Sequence, residues 1–190
     1  MTNAELVAHT RHVLDHHHTF LREQLPPLEA ALARADVPRE LVRAVAALRV
    51  YMDDHMMKEE HMLFPRIVAL AAEPEGASAD VEGPIRVMHQ EHRSVAAMEH
   101  GLRGLLDRAG PHRDTLGAVL DDLAAHAKLE DETIFAECLA REGVPEAERV
   151  PPPWVPPPPR PAARATSAPL PAAPPATGLR GRLKRLLGRG

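Results

Sequence analysis

The sequence predicts an all-α protein, an up-down four-helix bundle with a disordered, proline-rich C-terminal tail, and three observations predict it. Four segments repeat apolar residues at alternating steps of three and four, the period of a helix with one buried face. No alternating Val/Ile/Thr run marks a strand, and aromatic residues are only 3% of the 190-residue chain. Of the 20 prolines, 12 lie between residues 151 and 175, a composition that cannot build a packed core. The expected division is a bundle over 1–149, a Pro-rich linker over 150–178 and a basic Leu/Arg-rich tail over 179–190.

The elements follow in order. The first seam runs Leu14, His18, Leu21, Leu25, Leu28, Leu32, and Pro26–Pro27 should kink or break that helix. "ADVPREL" reads as a stop and restart, with Pro38 near a helix start. The second seam runs Leu41, Val45, Leu48, Met52, His55, Glu59, Met62, with Pro65 expected to close it. A loop over 73–83 leads to Pro84 and a third seam of Ile85, Met88, His92, Val95, then Glu99 or Met98, Leu102 and Leu106. The fourth helix should begin near Asp114 and bury Leu116, Val119, Leu123, His126, Glu130, Ile134 and Phe135.

Bulk composition excludes several classes. No apolar run approaches the roughly 20 residues a membrane span needs, and the N-terminus lacks the pattern of a signal peptide, so a cytoplasmic protein is expected. Cys138 is the single cysteine, which rules out an intramolecular disulfide and multi-cysteine zinc or iron–sulfur sites. All 27 acidic residues fall in the first 150 positions and the last 40 hold only basic charges, so no nucleic-acid partner is expected for the bundle.

The four seams share one oddity. Each carries a histidine near its middle, and His55-x-x-x-Glu59 is copied as His126-x-x-x-Glu130, a spacing that puts both groups on one helix face. Buried carboxylates without partners cost several kcal/mol each. A pair of metal ions resolves the cost: His18, His55, His92 and His126 each give one neutral nitrogen, while Glu59 and Glu130 each bridge with two oxygens. That supplies about four protein bonds per metal and leaves positions open for a small ligand. Imidazole and carboxylate without sulfur favour iron over manganese or zinc. A rotation of one residue would exchange His18 with its neighbours His16 and His17. Tyr51 is either a hydrogen-bond donor to a bound ligand or a half-buried core residue, and Glu91 either supports the site or faces solvent. His9, His12, His61, His100 and His112 are expected on the surface, and Glu60, Asp131 and Glu132 in solvent.

"HMMKEEHMLFP", "GPIRVMHQEH" and "HAKLEDETIF", with "LREQLPPLE" just after His18, resemble the hemerythrin-like, or HHE cation-binding, domain, and within it the di-iron bundle of iron–sulfur cluster repair proteins. The resemblance covers about residues 8 to 141. It places the family's metal ligands on His18, His55, Glu59, His92, His126 and Glu130, and implies a non-haem centre of two iron ions with oxo and carboxylate bridges. It also implies that the centre binds dioxygen, nitric oxide or a related species such as peroxide. Family members generally have a fifth histidine, which the repair proteins place between the first ligand and the second helix. No histidine lies between 18 and 55 here, so either His89 fills that role or one iron is less fully ligated. The repair proteins also carry a small cysteine-containing domain ahead of the bundle, whereas this chain starts almost directly at the first helix.

Three functions are therefore ranked. A small-molecule-binding di-iron module for sensing, buffering or stress response comes first. Cluster repair, or reduction of peroxide or nitric oxide, comes second because it needs a donor or recipient. A scaffold bundle presenting the tail comes third. The tail's "LRGRLKRLLGRG" spaces leucines at helical intervals among five basic residues, which suits an anionic membrane or an acidic protein, although its glycines weaken a helix.

Overall fold

Each apolar seam becomes one long helix, and three of the four helices change their pitch where the polar residues lie. The computed structural model describes residues 1–72 and 79–157. The tail expected over 179–190, and the linker beyond residue 157, lie outside the described residues. Helix α1 covers 3–32 as α-helical Asn3–His12, a π stretch Val13–His18 and α-helical Thr19–Leu32. Helix α2 covers 39–72 as Arg39–Lys58, a π stretch Glu59–Leu63 and Phe64–Ala72. Helix α3 is Glu82–Arg103, and α4 covers 113–141 with a π stretch Glu130–Phe135. No strand occurs among the described residues. Helices α1 and α3 each pack against both α2 and α4, which closes the bundle.

The apolar residues form two clusters instead of one. Leu21, Leu25, Leu41, Leu48, Met52, Val95, Leu116 and Leu123 belong to the first. Leu6, Leu63, Phe64, Ile67, Ile85, Ile134, Phe135 and Leu139 belong to the second. Between these two stretches of each helix lie the buried polar residues His18, His55, Glu59, His92, His126 and Glu130. The bundle thus has a polar layer across its middle.

Several expectations are corrected. Pro26 and Pro27 do not break α1, which stays helical through both. The prolines and the residues one turn earlier, Arg22 and Glu23, are exposed, so water can satisfy the carbonyls that lose their donors. Pro65 does not close α2, which continues to Ala72. It stands two residues after the end of a π stretch, where the change from i→i+5 to i→i+4 bonding already loosens the hydrogen-bond ladder. The same stretch moves the seam by one residue: Leu63 is buried while Met62 is 56% exposed. On α3, Met98 packs on the first cluster and Glu99 pairs with Arg103.

The compact unit runs from Met1 to Pro156 and so takes in Val150–Trp154, the start of the expected linker. The Trp154 ring lies 5.4 Å from that of His100 on α3. No helix among the described residues is long and apolar enough to cross a membrane.

The end of α4 also holds the start of α3. Gly143, at φ 79°, takes the left-handed position that ends a helix, and Val144 N–H and Gly143 N–H donate back to Leu139 and Ala140. The turn presents the Glu142 carboxylate to the backbone N–H groups of Ala79, Val81 and Glu82 at 3.0–3.2 Å, where it satisfies donors that the first helical turn leaves free. Replacing Glu142 with Ala is expected to cost about 1–2 kcal/mol, the range for loss of a helix cap, read as a lowered urea midpoint at unchanged helical content.

Candidate metal centre

Two overlapping sets of donors meet in the polar layer. His18, Glu59, His126 and Glu130 each offer a ligand atom within 4.8 Å of the others, and His55, Glu59, His92 and Glu130 do the same. Both glutamates belong to both sets, the arrangement of two bridges between two sites. His18 Nε2 lies 3.1 Å and His55 Nε2 3.3 Å from Glu59, while His92 Nε2 and His126 Nε2 each lie 3.1 Å from Glu130. Four helices contribute, and neither glutamate has any exposed surface.

Apart from the hydrogen bond between His18 Nε2 and Glu59 Oε2, the donors converge without satisfying one another. His55 Nε2, His92 Nε2, His126 Nε2, Glu59 Oε1 and both oxygens of Glu130 are buried and have no hydrogen-bond partner. Such groups normally cost about 1–3 kcal/mol each, more for a charged one, so a cluster of six calls for an ion in their midst. Imidazole nitrogens and carboxylate oxygens without sulfur suit non-haem iron, and the residues present fit that metal.

Carboxylates behind the rings fix which nitrogen faces inward. His18 Nδ1 lies 2.8 Å from Glu60, His55 Nδ1 2.9 Å from Glu91, and His92 Nδ1 2.7 Å from Asp131. With Nδ1–H donating outward, each Nε2 keeps its lone pair for the centre. Arg22 holds Glu60 in place, and Lys58 holds Glu91. The hydrogen bond from His55 outweighs burial and, with Lys58, takes the Glu91 carboxyl down to about 2. Burial works against charge on His92, yet Asp131 and the neighbouring Glu130 push its imidazole up to about 10. Burial likewise opposes the charge on Glu130, but His126 and His92 hold its carboxyl well below the usual range. The layer therefore attracts positive charge strongly.

The structure brings His18, His55, Glu59, His92, His126 and Glu130 together. Neither His17 nor His89 joins either donor set. His17 is buried with Nδ1 2.8 Å from Asp122, and its ring is stacked on His126 at 5.5 Å. His89 has its Nε2 3.6 Å from Asp131 and its ring against Phe135. Glu91 sits behind His55 as described, and Tyr51 packs half-buried against the first apolar cluster. Glu60 and Asp131, expected in solvent, are corrected: each leaves its own helix face to meet a histidine on a neighbouring helix. The signal for them lay beside the glutamates, since both copies of the motif continue with a second acid, Glu59-Glu60 and Glu130-Asp131.

The copies extend further. Phe64 stands nine residues after His55 and stacks on His18 at 5.9 Å; Phe135 stands nine after His126 and stacks on His92 at 5.9 Å. Residues His55, Glu59, Glu60 and Phe64 thus do for His18 what His126, Glu130, Asp131 and Phe135 do for His92. A cavity of about 370 Å³ reaches the layer beside His92 and Asp131, with Pro151–Trp154 along its outer wall.

Comparison with known proteins agrees with this geometry. The family model for the hemerythrin HHE cation binding domain matches residues 9–138. An iron-sulfur cluster repair protein YtfE from Enterobacter sp. (strain 638) is 30% identical over 69% of this chain and 65% of its own length. The YtfE proteins of Salmonella paratyphi B and Salmonella newport are each 29% identical with the same coverage. The chain therefore spans about 65% of the length of these relatives. No solved structure matches it. The bundle, its two HHE-type motifs and the family match make one case: this chain belongs to the hemerythrin HHE cation-binding domain family.

Proposed function

We propose that the bundle holds a non-haem di-iron centre that binds dioxygen, nitric oxide or a related small species, and that it serves as a sensor, buffer or stress-response module. The observation that carries the reading is the set of six buried donor atoms with no partner, shared between two overlapping four-residue groups. Bound iron would supply redox activity and open coordination positions. The protein's own residues orient the imidazoles through Glu60, Glu91 and Asp131 and keep bulk water from the layer with the apolar clusters on either side. The cavity beside His92 supports an approach for a small ligand.

A second reading is favoured by one observation, the naming of the relatives as iron–sulfur cluster repair proteins: the chain takes part in that repair. That activity belongs to proteins longer than the matched region, and it requires a recipient for iron. Turnover of peroxide or nitric oxide with a reductant, or delivery of iron to an apo-cluster protein, lost on changing Glu59 and Glu130 together to Gln, would rank catalysis or repair above simple binding.

Purified chain is expected to hold close to two irons, to show near-ultraviolet oxo-to-iron absorption in air, and to change its spectrum with nitric oxide under anaerobic conditions. A colourless chain whose stability is unaffected by chelators overturns the reading. The carboxylates behind the rings make a finer prediction. Asp131→Asn should weaken iron retention by about 10- to 100-fold against a competing chelator at unchanged helical content. Glu132→Gln, an exposed neighbour, should leave retention as it is.

A further inference from the structure

The two halves of the polar layer match except at one corner. Behind His55, on the α3 side, stand Glu91 and the cation Lys58. By the internal match of His18 with His92, the residue corresponding to Glu91 is His17, and the ring it faces is His126. Here the pattern changes. His17 gives Nδ1 to Asp122 at 2.8 Å, and Asp122 Oδ2 is buried with no hydrogen-bond partner. Among the described residues no lysine or arginine pairs with Asp122 as Lys58 pairs with Glu91.

Imidazoles surround that carboxylate instead. His16, His17 and Asp122 each offer a ligand atom within 4.8 Å of one another. The His12 ring is stacked on His16 with centroids 5.1 Å apart and meets His17 edge-on at 5.4 Å. His12 and His16 are four residues apart on α1 and exposed, so both side chains are free to turn toward a common point.

We infer that His12, His16, His17 and Asp122 form a second, mononuclear site for an imidazole-preferring divalent cation such as Zn²⁺, separate from the six donors of the inner layer. Three imidazoles and one carboxylate make a four-coordinate set of the kind zinc accepts. The cation would occupy the place that Lys58 holds at the matching corner, neutralising Asp122 behind a ring stacked on His126. Its ligands come from α1 and α4, so the ion also ties the N-terminal helix to the last one.

The test uses full-length chain with its inner site iron-loaded, and a parallel sample carrying Glu59→Gln and Glu130→Gln so that zinc uptake by the inner site is separated from uptake outside. Zinc is added, the sample is exchanged into metal-free buffer, and bound zinc and iron are measured together with zinc affinity against a chromophoric chelator. Both samples should take up one zinc per chain, and zinc should raise the thermal midpoint. The double change His12→Ala and His16→Ala, at exposed positions, should weaken zinc binding at least tenfold and leave iron content unchanged. Asp122→Asn should weaken zinc in the same way. Absence of zinc uptake, or undiminished zinc affinity in either variant, overturns the assignment.

Discussion

Two carboxylates with no access to water, Glu59 and Glu130, set the terms for the rest of this bundle. A charge so placed has to be met inside the protein, and the fold meets it from all four helices. Four imidazoles are directed at the glutamates, three of them pinned from behind by further carboxylates. The apolar seam is interrupted at the same level in every helix, which is why the core divides into two clusters. Packing alone would not choose this, because leucines at those six positions would join the clusters into one. The interruption is accounted for by what the layer can bind.

The π stretches are the backbone's answer to the same constraint. Two of them start at the glutamates themselves, and the third ends at His18. One extra residue in a turn lets adjacent side chains serve the same layer: Glu59 points inward while Glu60 reaches His18, and Glu130 points inward while Asp131 reaches His92. A regular α-helix would separate neighbouring residues by about 100° and carry one of the two away. In α1 the same device buries both His17 and His18, and so brings a fifth imidazole against His126 without placing it among the inner donors.

Much of this was legible in the sequence. The four seams, the absence of strands among the described residues and the matched His-x-x-x-Glu pairs follow from period alone, since a helix face repeats and a polar residue on it stands out. Three things were not legible, each for a physical reason. Pro26–Pro27 and Pro65 look like breakers because local propensity counts lost donors; it does not register that carbonyls on an exposed face, or next to a pitch change, have other partners. A constant period puts Met62 inside because it cannot anticipate a π turn, and Leu63 takes that position instead. Nothing in the sequence takes Glu60 and Asp131 out of solvent, because their role depends on which helix lies opposite, and that is a property of the tertiary arrangement.

The charge count of the layer favours a multivalent cation at its centre. Glu59, Glu130, Glu60, Glu91 and Asp131 stand within two shells of contact, and Arg22 and Lys58 are the cations paired directly with them. Protons on the imidazoles can offset the remainder, which is the meaning of a His92 pKa near 10, but each proton occupies a nitrogen that would otherwise donate. A multivalent cation would compensate that charge while leaving the Nε2 lone pairs to bind it, and in a buried setting attraction is weakly screened. The outer carboxylates therefore do more than aim the rings. By adding negative charge that no nearby lysine or arginine fully cancels, they strengthen the layer's attraction for a cation.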